Sequence, residues 1–249
     1  IMGGTCMHSD KYFFQKFPIG SVITLLVGIF LFLVNLSFVE QIKYLREYNY
    51  LVHFAKNSIA FVLIVYSIPF ILMYFIKFPN KKKFEMNLEE VKKNFLDNIK
   101  SKDGKLIADF VSFRPWMNQE FYVKSVKGIP KIFIPIYLVS FTIKNDILYI
   151  IEAEISINSK EYRISGYYLV HLSNIVSANL SQDRIFFSSS MGDAAAKVNF
   201  IEIIHSSGTI KIPIFEEELL SNYGNISPLR EEYSLKVMTL LKYLNKELL

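Results

Sequence analysis

Four histidines, one cysteine and four residues in the C-terminal two thirds are where chemistry could be sought in this 249-residue sequence. His8, His53, His171 and His205 are scattered, and no carboxylate stands at a ligand spacing from His171 or His205. Only His171 and His205 fall in one stretch that could fold together, and both sit in alternating, strand-like patterns without the spacing of a zinc motif. Cys6 is the single cysteine, so an intramolecular disulfide and a cysteine-based metal centre are both excluded. No metal ligand is assigned.

Catalytic motifs give no better lead. The run Glu216-Glu217-Glu218 precedes a short helical pattern, where acids complement the positive end of a helix and need no proton-transfer role. Glycine-rich phosphate loops, a G-x-S-x-G elbow and an H-E-x-x-H helix are absent. The sequence therefore assigns no catalytic residue and no cofactor.

Four residues stay as candidate ligand contacts: Arg114, Trp116, Arg163 and Arg184. Arg114-Pro115-Trp116 lies in a loop, where a guanidinium and an indole could meet a ligand, although a tryptophan covering one end of a small barrel explains the same residue. Arg163 and Arg184 also read as solvated charges at strand ends. Lys81-Lys82-Lys83 is a candidate contact with the membrane surface, each lysine near an anionic bilayer contributing about 1 kcal/mol. Topology enforcement by positive charge accounts for the same run.

The elements that must position these residues begin with two uncharged stretches. Phe17 to Val39 lies between Lys16 and Glu40, and Asn57 to Ile76 lies between Lys56 and Lys77. About 20 apolar residues rising about 1.5 Å each cross a hydrocarbon core of about 30 Å, so residues 17–76 predict a transmembrane hairpin with spans 17–39 and 57–76. The first run is too long for the apolar part of a signal peptide and is expected to stay as an anchor. Eight lysines flank the hairpin on the side of residues 1–16 and 77–93, against Lys43, Arg46 and Lys56 in the connecting loop. The bias predicts both termini on the cytoplasmic side of the membrane. Tyr12, Phe13, Phe14, Tyr44, Tyr48, Tyr50 and Phe78 are expected to form interfacial belts. Pro69 is expected to free a carbonyl that Ser67 could bond, and Gly20 and Gly28 share one face of the first helix.

Residues 77–104 read as a basic connector, with Asn87 and Glu90 as a capping box and Leu88, Val91, Phe95 and Ile99 on one face. That apolar face is expected to dock on the domain C-terminal to it, the other option being lipid. From Lys105 the period changes to two. Strands are expected at 105–113, 120–126, 136–143, 147–155, 162–172, 184–189, 198–205 and 209–214, with Pro130 and Pro135 bracketing an edge or loop. Ser227 and Pro228 then open a helix with Tyr233, Val237, Leu240, Leu241, Leu244 and Leu248 along one side. The expected fold class is an α+β membrane protein: a two-helix hairpin followed by a small antiparallel sheet or barrel, residues 105–249, closed by a C-terminal helix. Residues 101–249 balance 16 Lys and Arg against 16 Asp and Glu, so the net charge of +5 belongs to the first hundred residues. Such a domain lacks the basic footprint of a nucleic-acid binder.

The stretches FTIKNDILYII, YYLVHLSNIVSANL, VNFIEIIHSSGTIKIPI and LKVMTLLKYL, between Phe141 and Leu244, resemble the bacterial pleckstrin-homology-like family, which also occurs behind two N-terminal spans. The resemblance implies a PH-like barrel that binds a protein partner, another copy or the membrane surface, without an enzymatic reaction and without a cofactor. It carries no functional residue across. The rival expectation is a two-span effector whose β-barrel senses a nucleotide second messenger and disrupts the membrane.

Overall fold

A computed structural model describes residues 10–34, 48–76, 81–99, 104–118, 120–190 and 192–246. The chain divides into two compact units, Gln15–Pro79 and the combination of Ile1–Phe14 with Asn80–Leu249.

The first unit is a helical pair. Helix α2 (Asn49–Ile76) has 28 residues and is long and apolar enough to cross a membrane. At about 1.5 Å per residue it measures about 42 Å. Helix α1 (Ile19–Leu33) has 15 residues and stops where Val34 turns extended, at φ −64° and ψ 122°. It is therefore shorter than the expected 17–39 span, whose residues 35–39 lie outside the described part. Helix α2 in turn begins eight residues before the expected Asn57, taking in His53 and Lys56. Lys56 reaches across, its Nζ donating to the Val34 carbonyl at 2.7 Å and the Phe32 carbonyl at 3.4 Å. A cation there satisfies the orphan carbonyls and the negative end of α1. Gly28 is the packing point: a Cβ added there would lie 2.9 Å from Ile64 Cγ1 and 3.2 Å from the Ala60 carbonyl. Gly20 has nothing within 4 Å, so only one of the two glycines serves the crossing. Ser67 is buried and its hydroxyl donates to the Leu63 carbonyl at 2.7 Å, within its own turn, not to the Val65 carbonyl that Pro69 leaves without its amide.

The second unit is α+β. Its strands are β1 (Lys105–Phe113), β2 (Tyr122–Val126), β3 (Ile129–Ile134), β4 (Ile136–Lys144), β5 (Ile147–Ser156), β6 (Glu161–His171), β7 (Ile175–Ser189), β8 (Gly192–His205) and β9 (Gly208–Glu216). They form antiparallel sheets ordered β1-β4-β5-β6 and β7-β8-β9, with β2-β3 as a separate ribbon inserted between β1 and β4. Three helices accompany them: α3 (Lys81–Ile99), the single turn α4 (Glu218–Ser221) and α5 (Ser227–Lys246).

Strand β4 is buried from Ile136 to Ile143 because both faces of its sheet are covered. On one face Phe110 meets Phe141 and Tyr233, whose ring also lies 4.6 Å from that of Phe215, and Val237, Leu240 and Leu244 of α5 are buried. The other face takes α3, which buries Phe84, Val91 and Phe95, with Phe95 edge-on to Tyr162 of β6 at 5.3 Å. The connector helix thus docks on the sheet, as its apolar period requires. It starts at Lys81, so Asn87 is not its cap. Asn87 is buried in mid-helix and donates to the Ile157 carbonyl at 2.9 Å, while Glu90 holds Lys160.

Residues before the helical pair belong to this unit as well. The Asp10 carboxylate accepts from the Ile157 and Asn158 amides at 3.0 and 2.7 Å and from Ser156 Oγ at 3.2 Å. A single turn, Lys11–Phe14, then buries Phe13 edge-on against Phe84 at 5.2 Å. Phe13 is core, not part of an interfacial belt. The β5–β6 turn is thereby gripped from two sides, by the segment entering the helical pair and by the helix that leaves it.

Candidate functional site

Two places in the α+β unit collect side chains that could act on something else. The first is polar. The period of two puts Ser112 of β1, Tyr137 of β4, and Glu152 and Glu154 of β5 on one sheet face, in the registers Ser112↔Tyr137 and Tyr137↔Glu154. Arg114, just past β1, swings onto this face. It pairs with Glu152, lies 4.8 Å over the Tyr137 ring and donates to the Pro213 carbonyl at 3.0 Å. Gly166 of β6 makes room, since a Cβ there would sit 2.8 Å from Glu152 Oε1. Two residues along, Glu154 receives Arg163 Nη2 at 2.6 Å.

Burial shapes the electrostatics. Desolvation pulls the Arg114 guanidinium below its ordinary pKa, opposed by Glu152. Burial, and then the Glu154 charge, pushes the Tyr137 hydroxyl up to about 12. The two arginines are each matched by a carboxylate, so the cluster carries no spare positive charge for a phosphate. A buried Arg114–Glu152 pair and, beside it, the exposed Arg163 on the buried Glu154 tie β1, β5, β6 and β9 together.

The other candidates go elsewhere. Trp116 packs with Ile185, Phe187 and Leu219 against the buried Ala196, Val198 and Phe200, a small cluster beneath the far half of the β7–β8 ribbon rather than the end of a barrel. Arg184 is exposed on that ribbon and meets Glu218 at 3.1 Å. So the structure brings Arg114 and Arg163 together and leaves Trp116 and Arg184 apart from them. Lys81 pairs with Glu85 at 3.2 Å and Lys83 lies 5.2 Å over the Tyr12 ring. His205 accepts from the Ser207 amide at 3.3 Å. Among the described residues no three His, Cys, Asp or Glu side chains gather as a metal site.

The second place is apolar, and no sequence motif announces it. A cavity of about 200 Å³ opens where the first turns of α3, strands β1 and β3 and the start of α5 meet. Its apolar wall includes Phe84, Leu88, Phe113, Phe133, Leu229 and Tyr233, and its charged lining residues are Glu85, Lys131 and Glu232. Tyr233 is held in place by donating its hydroxyl to the Val111 carbonyl. A cavity of about 150 Å³ lined by apolar side chains accepts benzene, while pockets for drug-sized ligands start near about 300 Å³. This one suits a single aromatic or branched aliphatic group. Its signal lies in an inserted ribbon, β2-β3, that supplies Lys131 and Phe133 without being needed by the strand order of either larger sheet.

Beside the cavity, Glu216 is fully buried, its oxygens accepting from the Leu219 and Leu220 amides at 2.7 and 3.1 Å. Burial pushes its pKa up to about 7, against the pull of those amides. A carboxyl raised in the folded state binds its proton more tightly there than in the unfolded chain. Its contribution to stability is complete below about pH 4.5 and is lost as pH rises through 7. Glu216→Gln should therefore gain in melting temperature relative to the parent between pH 5 and pH 8. Melting curves of both proteins at the two pH values check this, and parallel curves would contradict it.

Compared with known protein families, with curated proteins and with solved structures, the chain matches none.

Proposed function

We propose that this chain is a membrane-anchored binding protein, in which α1 and α2 form a two-span hairpin with both termini in the cytoplasm and the α+β unit receives an apolar side chain of a protein partner. The observation that carries the reading is the cavity between α3, β1, β3 and α5: it is preformed, rimmed by charge and sized for one side chain. A four-stranded antiparallel sheet, a three-stranded antiparallel meander and a closing helix agree with the strand plan of a PH-like module and support that resemblance, with β2-β3 as an addition to it. The span reading is supported by the length and apolarity of α2 and by outward-facing Phe30, Phe61, Val62 and Phe75, a surface that water would penalise and lipid would not. Lys81, Lys82 and Lys83 come within seven residues of the end of α2 and are read as lying against lipid headgroups on the bacterial inner membrane.

The messenger-sensing reading receives less support. A site for a cyclic nucleotide needs several uncompensated donors converging on one place, whereas Arg114 and Arg163 are each matched by a glutamate and Arg184 lies apart from them. The reading is also non-enzymatic, because the buried polar groups of the sheet face are committed to one another.

The test is photo-crosslinking in membranes. A benzophenone amino acid replacing Leu229 in the full chain should give covalent adducts with a polypeptide on irradiation. Adducts with lipid alone, or none, would contradict the proposal.

A further inference from the structure

Among the large apolar side chains of the α+β unit exposed to solvent, Phe186 stands out at 76% exposure. It lies on the far half of the β7–β8 ribbon, opposite Ala195. Phe187, its neighbour, points to the other face and packs with Trp116, so the ribbon is anchored on one side and bare on the other. The bare face has a second oddity. By the period of two it carries Arg184 beside Phe186, and Arg184 stands directly opposite Lys197 in the ladder. Like charges directly opposite weaken a ribbon. Arg184 is offset by Glu218, but among the described residues Lys197 has no ion-pair partner.

The cavity has the opposite character. It takes one aromatic ring, and its charged lining is two glutamates and one lysine. Glu85 and Glu232 are paired one turn away on their own helices with half-buried lysines, Lys81 at 3.2 Å and Lys236 at 3.3 Å, the second also 4.0 Å from Asp109, and pairs at a surface exchange at little cost. An aromatic knob flanked by Arg184 and Lys197 thus finds, on the same chain, an apolar socket whose charged lining is two acids, Glu85 and Glu232, and one base, Lys131.

We infer that the occupant of the cavity is a second copy of this chain, which inserts Phe186 from its β7–β8 ribbon while Arg184 and Lys197 meet Glu85 and Glu232. The inference rests on the binding reading of the cavity and names its partner. Knob and socket are different patches, so the contact is heterologous: it closes a ring or, where two copies exchange ribbons, a two-fold dimer. Burial of the ring and neutralisation of the Arg184–Lys197 pair both favour association, and both are local enough to be removed one at a time.

The experiment uses two tagged versions of the full chain, both with Cys6→Ser, co-expressed in one membrane. One carries Ser188→Cys near the ribbon tip and the other Lys131→Cys at the cavity rim, and a short bis-maleimide joins thiols that come close. Adducts bearing both tags are expected. Phe186→Ala in the first version should lower their yield at least about tenfold. Lys197→Glu should do the same, and Glu232→Lys in the second version should restore the yield to within about twofold. Absence of two-tag adducts overturns the inference, as do adducts indifferent to Phe186→Ala and to charge reversal. Shielding of the thiol at position 188 by the bilayer without an adduct also overturns it, since the ribbon then enters lipid. The benzophenone at position 229 separates the two levels: an adduct with a different polypeptide removes self-association and leaves the binding reading, whereas no adduct removes both.

Discussion

Arg114→Ala should destabilise the α+β unit by about 3–5 kcal/mol, the cost of leaving a buried charge without its partner. Glu152 is 5% exposed and is boxed in by the Gly166 backbone, so water cannot easily replace the guanidinium. The same substitution removes a donor to the Pro213 carbonyl at 3.0 Å, one of the links between the end of β1 and β9. Arg114→Met combined with Glu152→Leu should recover much of the loss, because two apolar groups of similar volume avoid the desolvation that the ion pair must offset. Chemical denaturation of the single and double variants in the full chain distinguishes the cases. A single variant within about 0.5 kcal/mol of the parent would mean that the pair is solvated, contrary to its burial.

Leu244→Ala is expected to cost about 2–5 kcal/mol. The side chain is 1% exposed, in the last turns of α5, on the same stripe as Val237 and Leu240. Asn245 next to it ties the helix end to β7, accepting from the Ala178 amide at 3.3 Å and donating to its carbonyl at 3.2 Å, so the vacated volume cannot be closed by a simple shift of the helix. The melting temperature of the full chain should fall by several degrees or more. An unchanged value would show that α5 is not part of the core.

How much of the molecule is legible in the sequence depends on whether local pattern and tertiary contact agree. The sequence delimits β1 to the residue, and β4, β5 and β6 to within one, because each is a run rich in β-branched and aromatic residues, such as the one that Lys144-Asn145-Asp146 ends. Strand β3 is hidden by Pro130, which a two-stranded ribbon tolerates and a central strand would not. The first half of β7 escapes the pattern since Val176, Asn179, Leu180 and Gln182 are all exposed, and pairing with β8 alone makes it a strand. Asp10 and Phe13 look like a loose terminus and an aromatic belt, although both are buried against residues some 70 to 150 positions away. No local pattern encodes such a contact. Of the candidate site residues, Arg114 stands out for its loop position, but its partner Glu152 does not, because an acid in an alternating strand reads as solvent-facing until the covering elements are placed. The cavity cannot be read at all, being lined by residues of α3, β1, β3, β4, β9, α4 and α5, far apart in the sequence.

The cavity can meet a cytoplasmic partner only if the α+β unit lies on the inner side of the membrane. Single cysteines in a Cys6→Ser background, one replacing Asn49 at the start of α2 and one replacing Ser159 in the β5–β6 turn, can be exposed on intact cells to a thiol reagent that does not cross membranes. Labelling of position 49 with protection of position 159, lost when the cells are opened, is the predicted result. Labelling of position 159 on intact cells would contradict it.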